Sequence, residues 1–325
     1  MTMKFSKFNP QQLEQYLERI NYAGHASGTG TGEPRLESLK TAVERDPLTA
    51  LTELQRRHLG AIPWGNSALH YSTHHSISVH PTAVFEKLVL RAHDGYCMEN
   101  TNLLYVVLRS LGYRVYPTGG RVSRAVGSGN QSDEGYISFN HMVLVVTIAS
   151  HKYMVDVGFG RNSPTSPLPL QENILAPLLA PSEMSLIKTS LTEFVDETQK
   201  LWVYRTRSKP QKGWIPQYCF SEVEFLPEDF AMMNYFTSQS RTLWFTHQLA
   251  CTRVLMDEDK GIKPVGIYIL SGTEVKRVSG GETTVVATIA EETDRVEALA
   301  RYFGMHFRPH EIEGIRGLPS QIRTS

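Results

Sequence analysis

The apolar residues of this chain change their spacing near residue 112, and that change limits the folds open to it. Before this point they recur every three to four positions, which predicts amphipathic helices over 9–20, 36–46, 47–62 and 99–111. After it they alternate with a period of two in RVYPTGGRV, HMVLVVTI and KYMVDVGF, which is typical of strands. Because helices and strands form separate blocks, an α+β fold is favoured over a doubly wound sheet.

The second half of the chain continues with short strands and ends on a helix. Alternating segments predict strands at KLWVYRTR, CFSEVEFL, LACTRVLM, VGIYIL and ETTVVATI, and EETDRVEALARYFGM has the period of an amphipathic helix. Between the first two strands, SRAVGSGNQSDEG (123–135) lacks core-forming residues, so we expect a flexible polar loop there.

Charge and cysteine usage narrow the class of protein. Lys plus Arg is 33 and Asp plus Glu is 33, which gives no electrostatic reason to expect nucleic acid or an anionic membrane as partner. The three cysteines are far apart and odd in number, so a disulfide framework is not expected and a reducing compartment is favoured. Residues 1–20 lack the apolar core of a signal peptide, and we expect a cytoplasmic protein.

Cys97 stands at a junction, in the segment RAHDGYCMENTN (91–102) directly before the helix predicted over 99–111. A thiol is only a few per cent ionised at neutral pH, and a helix N-terminus or a neighbouring imidazole raises that fraction. Cys97 is therefore either a small core residue or a nucleophile. Cys219 and Cys251 lie in apolar strands and are interpreted as packing residues.

His141 and Asp156 are candidates for the partners of that nucleophile. His141 opens the strand HMVLVV, and Asp156 is an isolated acid in the apolar segment MVDVGF. A buried carboxylate needs a partner, and the fifteen residues that separate the two are enough for a hairpin that places them on adjacent strands. The three residues then form a Cys-His-Asp triad. The alternative is that His141 is a satisfied core residue and Asp156 a turn acid.

Other clusters of chemically active residues give weaker signals. The histidines of LHYSTHHSISVH lack cysteine or carboxylate companions at metal-ligand spacing, so we interpret this segment as a solvated loop and predict no metal site. The glycine clusters, such as GSGN, match neither dinucleotide nor phosphate-loop patterns.

Further segments accompany the three residues in a fixed order. DGYCMENTNLLYVVLRSLGY is followed by Arg121-Val122, HMVLVV, VDVGFG and PTSPLPL, with YLERINY and LTELQRRHLGAIPWGN upstream and DFAMMNYFTSQSRTLWF and RYFGM downstream. From about residue 13 to 307 the chain resembles the arylamine N-acetyltransferase family. Its long loop 123–138 is similar to that of fungal members.

The resemblance implies roles and an architecture. It assigns the catalytic triad to Cys97, His141 and Asp156. It also places Gly158, Phe159 and Gly160 beside the acyl cleft and Thr237 and Ser238 near coenzyme A. It implies an N-terminal helical bundle carrying the cysteine (1–112), a central β-barrel-like domain carrying the histidine and aspartate (113–225) and a C-terminal α/β lid (226–325), around a cysteine-protease-like core.

The sequence departs from the family pattern at four places. Asp94 replaces the first Gly of Gly-Gly, Thr101 replaces an Asn, and the usual Pro-Phe-Glu-Asn reads PWGN, with Trp64-Gly65 in the middle. Arg241 stands where a Pro is usual. The first two bear on how the helix start is fixed, and the others on substrate and coenzyme contacts.

The implied reaction is ping-pong transfer of an acyl group through a Cys97 thioester to an arylamine or arylhydrazine. Acetyl-CoA, or malonyl- or propionyl-CoA, is the expected co-substrate, with no tightly bound cofactor. Two alternatives remain: a cysteine hydrolase or transglutaminase-like enzyme with the same triad, and a relative without activity that binds coenzyme A or a partner. Arg241 is a candidate for selecting a malonyl carboxylate, or a solvated surface charge.

Overall fold

Three helices open the fold in the computed structural model, which describes residues 7–23, 34–130, 132–257 and 262–323. They are α1 (Pro10–Arg19), α2 (Arg35–Arg45) and α3 (Pro47–Ala61), close to the predicted ranges. The Asn9 side chain accepts a hydrogen bond from the Gln12 amide at 2.9 Å, and the Gln12 side chain accepts one from the Asn9 amide at 3.1 Å. This capping box starts α1 at the predicted residue.

The helix that carries Cys97 is buried on nearly all sides. It is α5 (Cys97–Ser110), and it follows α4 (Pro81–Phe85), which continues as a π-helical stretch over Glu86–Leu90 and was not predicted. The sequence pattern predicts an amphipathic α5, but most of its residues are buried, because α4 and two strands of the large sheet pack against it. A helix enclosed in this way holds its first residue in a fixed position.

An eight-stranded antiparallel sheet forms the barrel-like middle of the fold. Its strands in spatial order are β5 (Leu168–Pro169), β4 (His151–Val155), β3 (Tyr136–Ile148), β2 (Arg114–Ser123), β9 (Ile215–Phe220), β8 (Leu201–Arg207), β7 (Glu183–Thr189) and β6 (Ala176–Pro177). Because the helices and this sheet come from separate blocks of sequence, the α+β prediction is confirmed.

The pairing of β3 with β4 sets the position of Asp156. Leu144 lies opposite Val155, and Ile148 lies opposite His151, as expected for a hairpin. β4 was predicted to run on to Phe159 but ends at Val155. Asp156 therefore follows directly after the strand, with its backbone outside the ladder.

A second antiparallel sheet joins the beginning and the end of the chain. Its order is β1 (Trp64–Gly65), β10 (Ala250–Asp257), β11 (Lys263–Ser271), β12 (Glu274–Ser279) and β13 (Glu282–Thr288). The helices of this part are α7 (Pro227–Gln239), α8 (Glu292–Phe303) and α9 (Pro309–Ile312). Trp64 of β1 also forms a parallel bridge with Gly95, so β1 links the segment just before Cys97 to β10. No helix within the described residues is both long and apolar enough to cross a bilayer.

Two local predictions were wrong. CFSEVEFL was predicted as a strand, but β9 ends at Phe220. After this residue the Glu222 side chain forms ion pairs with Lys152 and Lys188, and Val223 is exposed, so the alternation of buried and exposed residues stops. The predicted polar loop 123–135 contains a short helix, α6 (Arg124–Ser128), whose Ala125 is buried. Small apolar residues between polar ones gave too little periodicity to reveal it.

Candidate active site

Cys97 is the first residue of α5, and its surroundings are almost closed to solvent. Its side chain is 6% exposed, and its Sγ–H donates to the carbonyl oxygen of Asn140 at 3.4 Å. The helix start is fixed by the Tyr96 amide, which donates to the Glu99 carboxylate at 3.1 Å. The sulfur therefore lies next to the backbone of the residue that precedes His141.

The helix N-terminus does not by itself make Cys97 a thiolate. Burial, and after it the negative charge of Asp156, raise the pKa of the Cys97 thiol, and the Met98 amide only partly opposes this. Burial alone therefore favours the neutral form of this thiol. Its ionisation requires a proton acceptor beside it, since the product is then an ion pair rather than a lone buried charge.

His141 and Asp156 form a buried pair. His141 Nε2 lies 2.8 Å from Asp156 Oδ2, and the two side chains are 1% and 0% exposed. The other carboxylate oxygen accepts a hydrogen bond from the Gly158 amide at 2.7 Å. The imidazole ring is held by Phe159 and Tyr218, at centroid distances of 5.0 and 4.6 Å. Because the carboxylate accepts from Nε2–H, Nδ1 is the nitrogen left to accept a proton.

Gly158 allows the Asp156 turn to lie against the nucleophile. A Cβ atom at position 158 would lie 2.5 Å from the Cys97 carbonyl oxygen and 2.7 Å from its Cα, and 2.6 Å from the Thr101 hydroxyl. Such distances exclude any side chain there. Close approach of the turn to the start of α5 thus depends on glycine.

A cavity of about 310 Å³ opens beside Cys97 and His141. Aromatic residues supply much of its surface, and no charged residue lines it among those described. Its lining comprises Trp64, Cys97, Val122, Val126, Gly127, Ile137, Asn140, His141, Gly158, Phe159, Thr242, Leu243, Trp244 and Phe245. The C-terminal part therefore covers the cavity with a single segment, 242–245.

The other residues that the sequence singled out lie outside this lining. Gly160 packs against the Trp64 indole, where a Cβ would lie 3.1 Å from Cδ2. Thr237 and Ser238 are buried in α7, and the Thr237 hydroxyl has no hydrogen-bond partner among the described residues. Of the five residues predicted to contact substrate or coenzyme, Gly158 and Phe159 therefore line the cavity, and Gly160, Thr237 and Ser238 do not.

Comparison with known proteins agrees with this architecture. A family model described as N-acetyltransferase matches residues 47–312. The chain belongs to the arylamine N-acetyltransferase family. "N-malonyltransferase FDB2" of Gibberella moniliformis is 34% identical over 98% of this chain and 94% of its own, and "Arylamine N-acetyltransferase 2" of Mus musculus is 27% identical over 80% and 81%.

Solved structures of arylamine N-acetyltransferases share the fold. The Mycobacterium marinum enzyme superposes with a TM-score of 0.72 and 26% identity, covering 94% of this chain and 99% of that one. A structure of the same enzyme in complex with CoA gives a TM-score of 0.71 and 25% identity over the same shares. The chain therefore has the fold of an acyltransferase family over nearly its whole length.

Two of the departures from the arylamine N-acetyltransferase pattern, Gly65 and Asp94, lie against each other. Asp94, fully buried, accepts hydrogen bonds from the Ser67 hydroxyl and, at 3.1 Å, from the Ser67 amide. A Cβ at Gly65 would lie 2.1 Å from Asp94 Oδ2, so the carboxylate occupies the space in front of that glycine. The usual pattern has an acid at position 65 and a glycine at position 94. In this chain the glycine is at 65 and the acid is Asp94.

Asn100, next to the Thr101 departure, forms hydrogen bonds that link the start of α5 to α3. Its Nδ2 donates to the Gly95 carbonyl, and its Oδ1 lies 3.1 Å from His58 Nε2. Tyr16 Oη lies 3.1 Å from His58 Nδ1, so a buried chain runs from α1 to the turn before Cys97. Thr101, at the family's Asn position, has no hydrogen-bond partner among the described residues. The sequence did not predict this series of hydrogen bonds, because no local pattern links the residues that form it.

The buried His58 predicts a loss of stability in acid. Burial lowers the pKa of His58 from 6.5 to about 4, so between these values the unfolded chain binds a proton that the folded protein does not. This contribution to the unfolding free energy is complete above pH 6.5 and falls by about 3 kcal/mol towards pH 4. In His58→Gln, the free energy of unfolding, measured with denaturant, should fall correspondingly less between pH 6.5 and pH 4.

A matched control is Tyr16→Phe, which removes the hydroxyl that faces His58 Nδ1 but leaves the imidazole. It should lower stability by a similar amount at each pH and keep the slope of the wild type. Equal slopes in His58→Gln and the wild type would contradict the assignment to His58.

The histidine-rich segment is a loop with His74 and His80 exposed, as the sequence predicted, but the prediction was wrong for His70. His70 is fully buried: its Nδ1 lies 2.7 Å from the Ser320 hydroxyl, and its Nε2 lies 3.1 Å from the Phe245 carbonyl. Asn66 also donates to that carbonyl, at 2.8 Å. His70 therefore helps to fix the aromatic wall of the cavity. The described residues contain no group of three His, Cys, Asp or Glu side chains arranged to hold a metal ion.

Proposed function

We propose that the protein is an acyl-CoA:arylamine N-acyltransferase that works through a Cys97 thioester. The observation that carries the proposal is the opening of one aromatic, nearly uncharged cavity onto both Cys97 and His141, whose Nε2 is engaged by the buried carboxylate of Asp156. Family membership supports the same reaction class. A buried nucleophile with an oriented base suits a thioester donor and an apolar amine acceptor.

The first half-reaction acylates the enzyme. His141 accepts the Cys97 thiol proton at Nδ1 while Sγ attacks the carbonyl carbon of the acyl-CoA thioester. The tetrahedral intermediate collapses, the bond to the coenzyme sulfur breaks, and coenzyme A leaves with the proton from the imidazolium. One thioester replaces another, so the step is nearly balanced in free energy. Asp156 stabilises the imidazolium while it exists.

The second half-reaction transfers the acyl group to nitrogen. The lone pair of the neutral arylamine attacks the carbonyl of the Cys97 thioester, His141 takes a proton from the nitrogen, and the Cys97 sulfur leaves and is reprotonated. The amide product and the free thiol are thereby formed. Phe159, whose ring contacts His141 on the cavity side, is proposed to stack on the acceptor.

The acyl donor is proposed to carry no charge on the transferred group. The cavity has no cationic side chain among its described lining residues, and a carboxylate brought there would lose its hydration without a partner. Acetyl and propionyl groups fit this condition. Arg241, the sequence candidate for binding a carboxylate, is exposed and is not part of the lining.

Malonyl transfer is the second candidate, because the relatives that match the chain over most of its length include N-malonyltransferases. If malonyl-CoA is the better donor, Arg241 next to the lining residue Thr242 is the first cation to test. Coenzyme contacts by Thr237 and Ser238 stay a prediction. The free state of all three cysteines fits a cytoplasmic protein.

The decisive experiment omits the acceptor. Mixing the enzyme with acetyl-CoA alone should release one equivalent of free thiol and increase the protein mass by one acetyl group, and an added arylamine should then remove the group as its amide. Propionyl- and malonyl-CoA are run beside it. Continuous thiol release without amine would favour the hydrolase alternative, and absence of any adduct with all three donors would contradict the proposal.

A further inference from the structure

We propose that Val126 on α6 sets the size of the aromatic acceptor that the cavity admits. The inference rests on the proposed function for its reaction but concerns the second half-reaction alone. Val126 lines the cavity although it belongs to the segment 123–135, which the sequence presented as a loop without core-forming residues. It lies outside the proposed catalytic residues, and its side chain is half-buried.

The helix α6 is anchored at both ends. The Arg124 amide donates to the Gly135 carbonyl at 2.9 Å, and Gly129 ends the helix in the left-handed conformation with φ of 73°. Ala125 is buried, in a helix that packs against β9. Because α6 is held in place at both ends, its Val126 side chain has a fixed position in the cavity lining, which a side chain on a flexible loop would not have.

The segment 242–245 supplies a second, fixed wall of the cavity. The rings of Trp244 and Phe245 stack at a centroid distance of 4.1 Å, and Trp64 lies 6.2 Å from each. The Phe245 carbonyl is held by Asn66 and His70. Because this wall is pinned by buried polar groups, the width available to an aromatic ring depends on the side chains that α6 presents.

Val126 and Gly127 differ in what they contribute. Val126 provides an apolar surface, whereas a Cβ added at Gly127 would meet no atom within 4 Å. On the α6 side, the cavity is therefore bounded by one branched side chain next to an open position. Enlarging Val126 should exclude acceptors of two fused rings before it excludes aniline, and shrinking it should favour the larger acceptors.

The test compares the two half-reactions in Val126→Phe and Val126→Ala, with Val195→Phe, a fully exposed valine, as matched control. Acylation by the donor that serves the wild type, measured as protein mass increase, should still reach one acyl group per protein in all three. The ratio of kcat/KM for 2-aminonaphthalene to that for aniline should fall about tenfold in Val126→Phe and rise severalfold in Val126→Ala.

Each outcome decides the inference separately from the function. Acylation without a change of acceptor ratio in both Val126 variants would overturn the role of Val126 and leave the acyltransferase proposal standing. A ratio that changes equally in Val195→Phe would overturn it as well. Loss of acylation in both Val126 variants, with folding confirmed by thermal unfolding, would show that α6 shapes the donor path and would also overturn it.

Discussion

Cys97→Ala is expected to abolish acyl transfer, with a loss of kcat/KM of about 10⁴-fold or more. The sulfur is the only atom of the proposed triad that forms a covalent bond, and alanine offers no substitute for it. His141 and Asp156 would remain paired, so the variant should still fold and still admit an aromatic amine. Mass spectrometry after mixing with acyl-CoA should show no adduct.

The other two cysteines are the controls. Cys219 and Cys251 are fully buried, and neither belongs to the described lining of the cavity. Burial raises the pKa of both thiols, as it does that of Cys97, but neither opens onto the cavity that His141 lines. Cys219→Ala and Cys251→Ala should lose some stability and retain turnover. Equal loss of activity in all three alanine variants would contradict the assignment of Cys97 as the nucleophile.

The elements with a clear apolar period were predictable from the sequence. α1, α3 and α5 begin near their predicted residues, because caps, prolines and 3.6-residue periodicity are local signals. The adjacency of His141 and Asp156 also followed from local facts: a strand, a short turn and a return strand of known length. A buried acid in an apolar segment requires a nearby partner, and this requirement pointed to the pair.

The cavity was not predictable in the same way. Its walls come from β1, α6 and residues 242–245, which lie far apart in the sequence and meet only through tertiary packing. β1 has two residues, too few to show any period, and TLWF reads as an aromatic run without indicating what it faces. The fit between Gly65 and Asp94 is likewise invisible until both segments are placed.

Burial with satisfied hydrogen bonds explains the wrong prediction for His70. His70 was interpreted as solvated because its sequence neighbours are polar, yet Ser320 and the Phe245 carbonyl satisfy both of its ring nitrogens inside the protein. Polarity of a segment predicts exposure only when no distant residue supplies the hydrogen bonds. Here those partners lie 250 and 175 residues away.

Asp156→Asn is expected to lower kcat/KM by about 10³-fold or more while the protein stays folded. Asparagine has the same shape, and its oxygen can still accept from the Gly158 amide. Its NH₂ group, however, would face His141 Nε2 and favour the tautomer with the proton on Nδ1. Nδ1 then has no lone pair for the Cys97 proton. Single-turnover acylation measures the loss, and Asp196→Asn in an exposed turn is the control.

The pH dependence of Cys97 alkylation distinguishes how Asp156 acts. Its negative charge directly raises the pKa of the Cys97 thiol, so removing only that charge would move alkylation to lower pH. Its hydrogen bond to His141 stabilises the imidazolium, and losing that would move alkylation to higher pH. We expect the shift to higher pH. The attraction between the thiolate and an adjacent imidazolium is stronger than the repulsion between the thiolate and the more distant Asp156 carboxylate. A shift to lower pH, with acylation retained, would mean that His141 does not ionise the nucleophile.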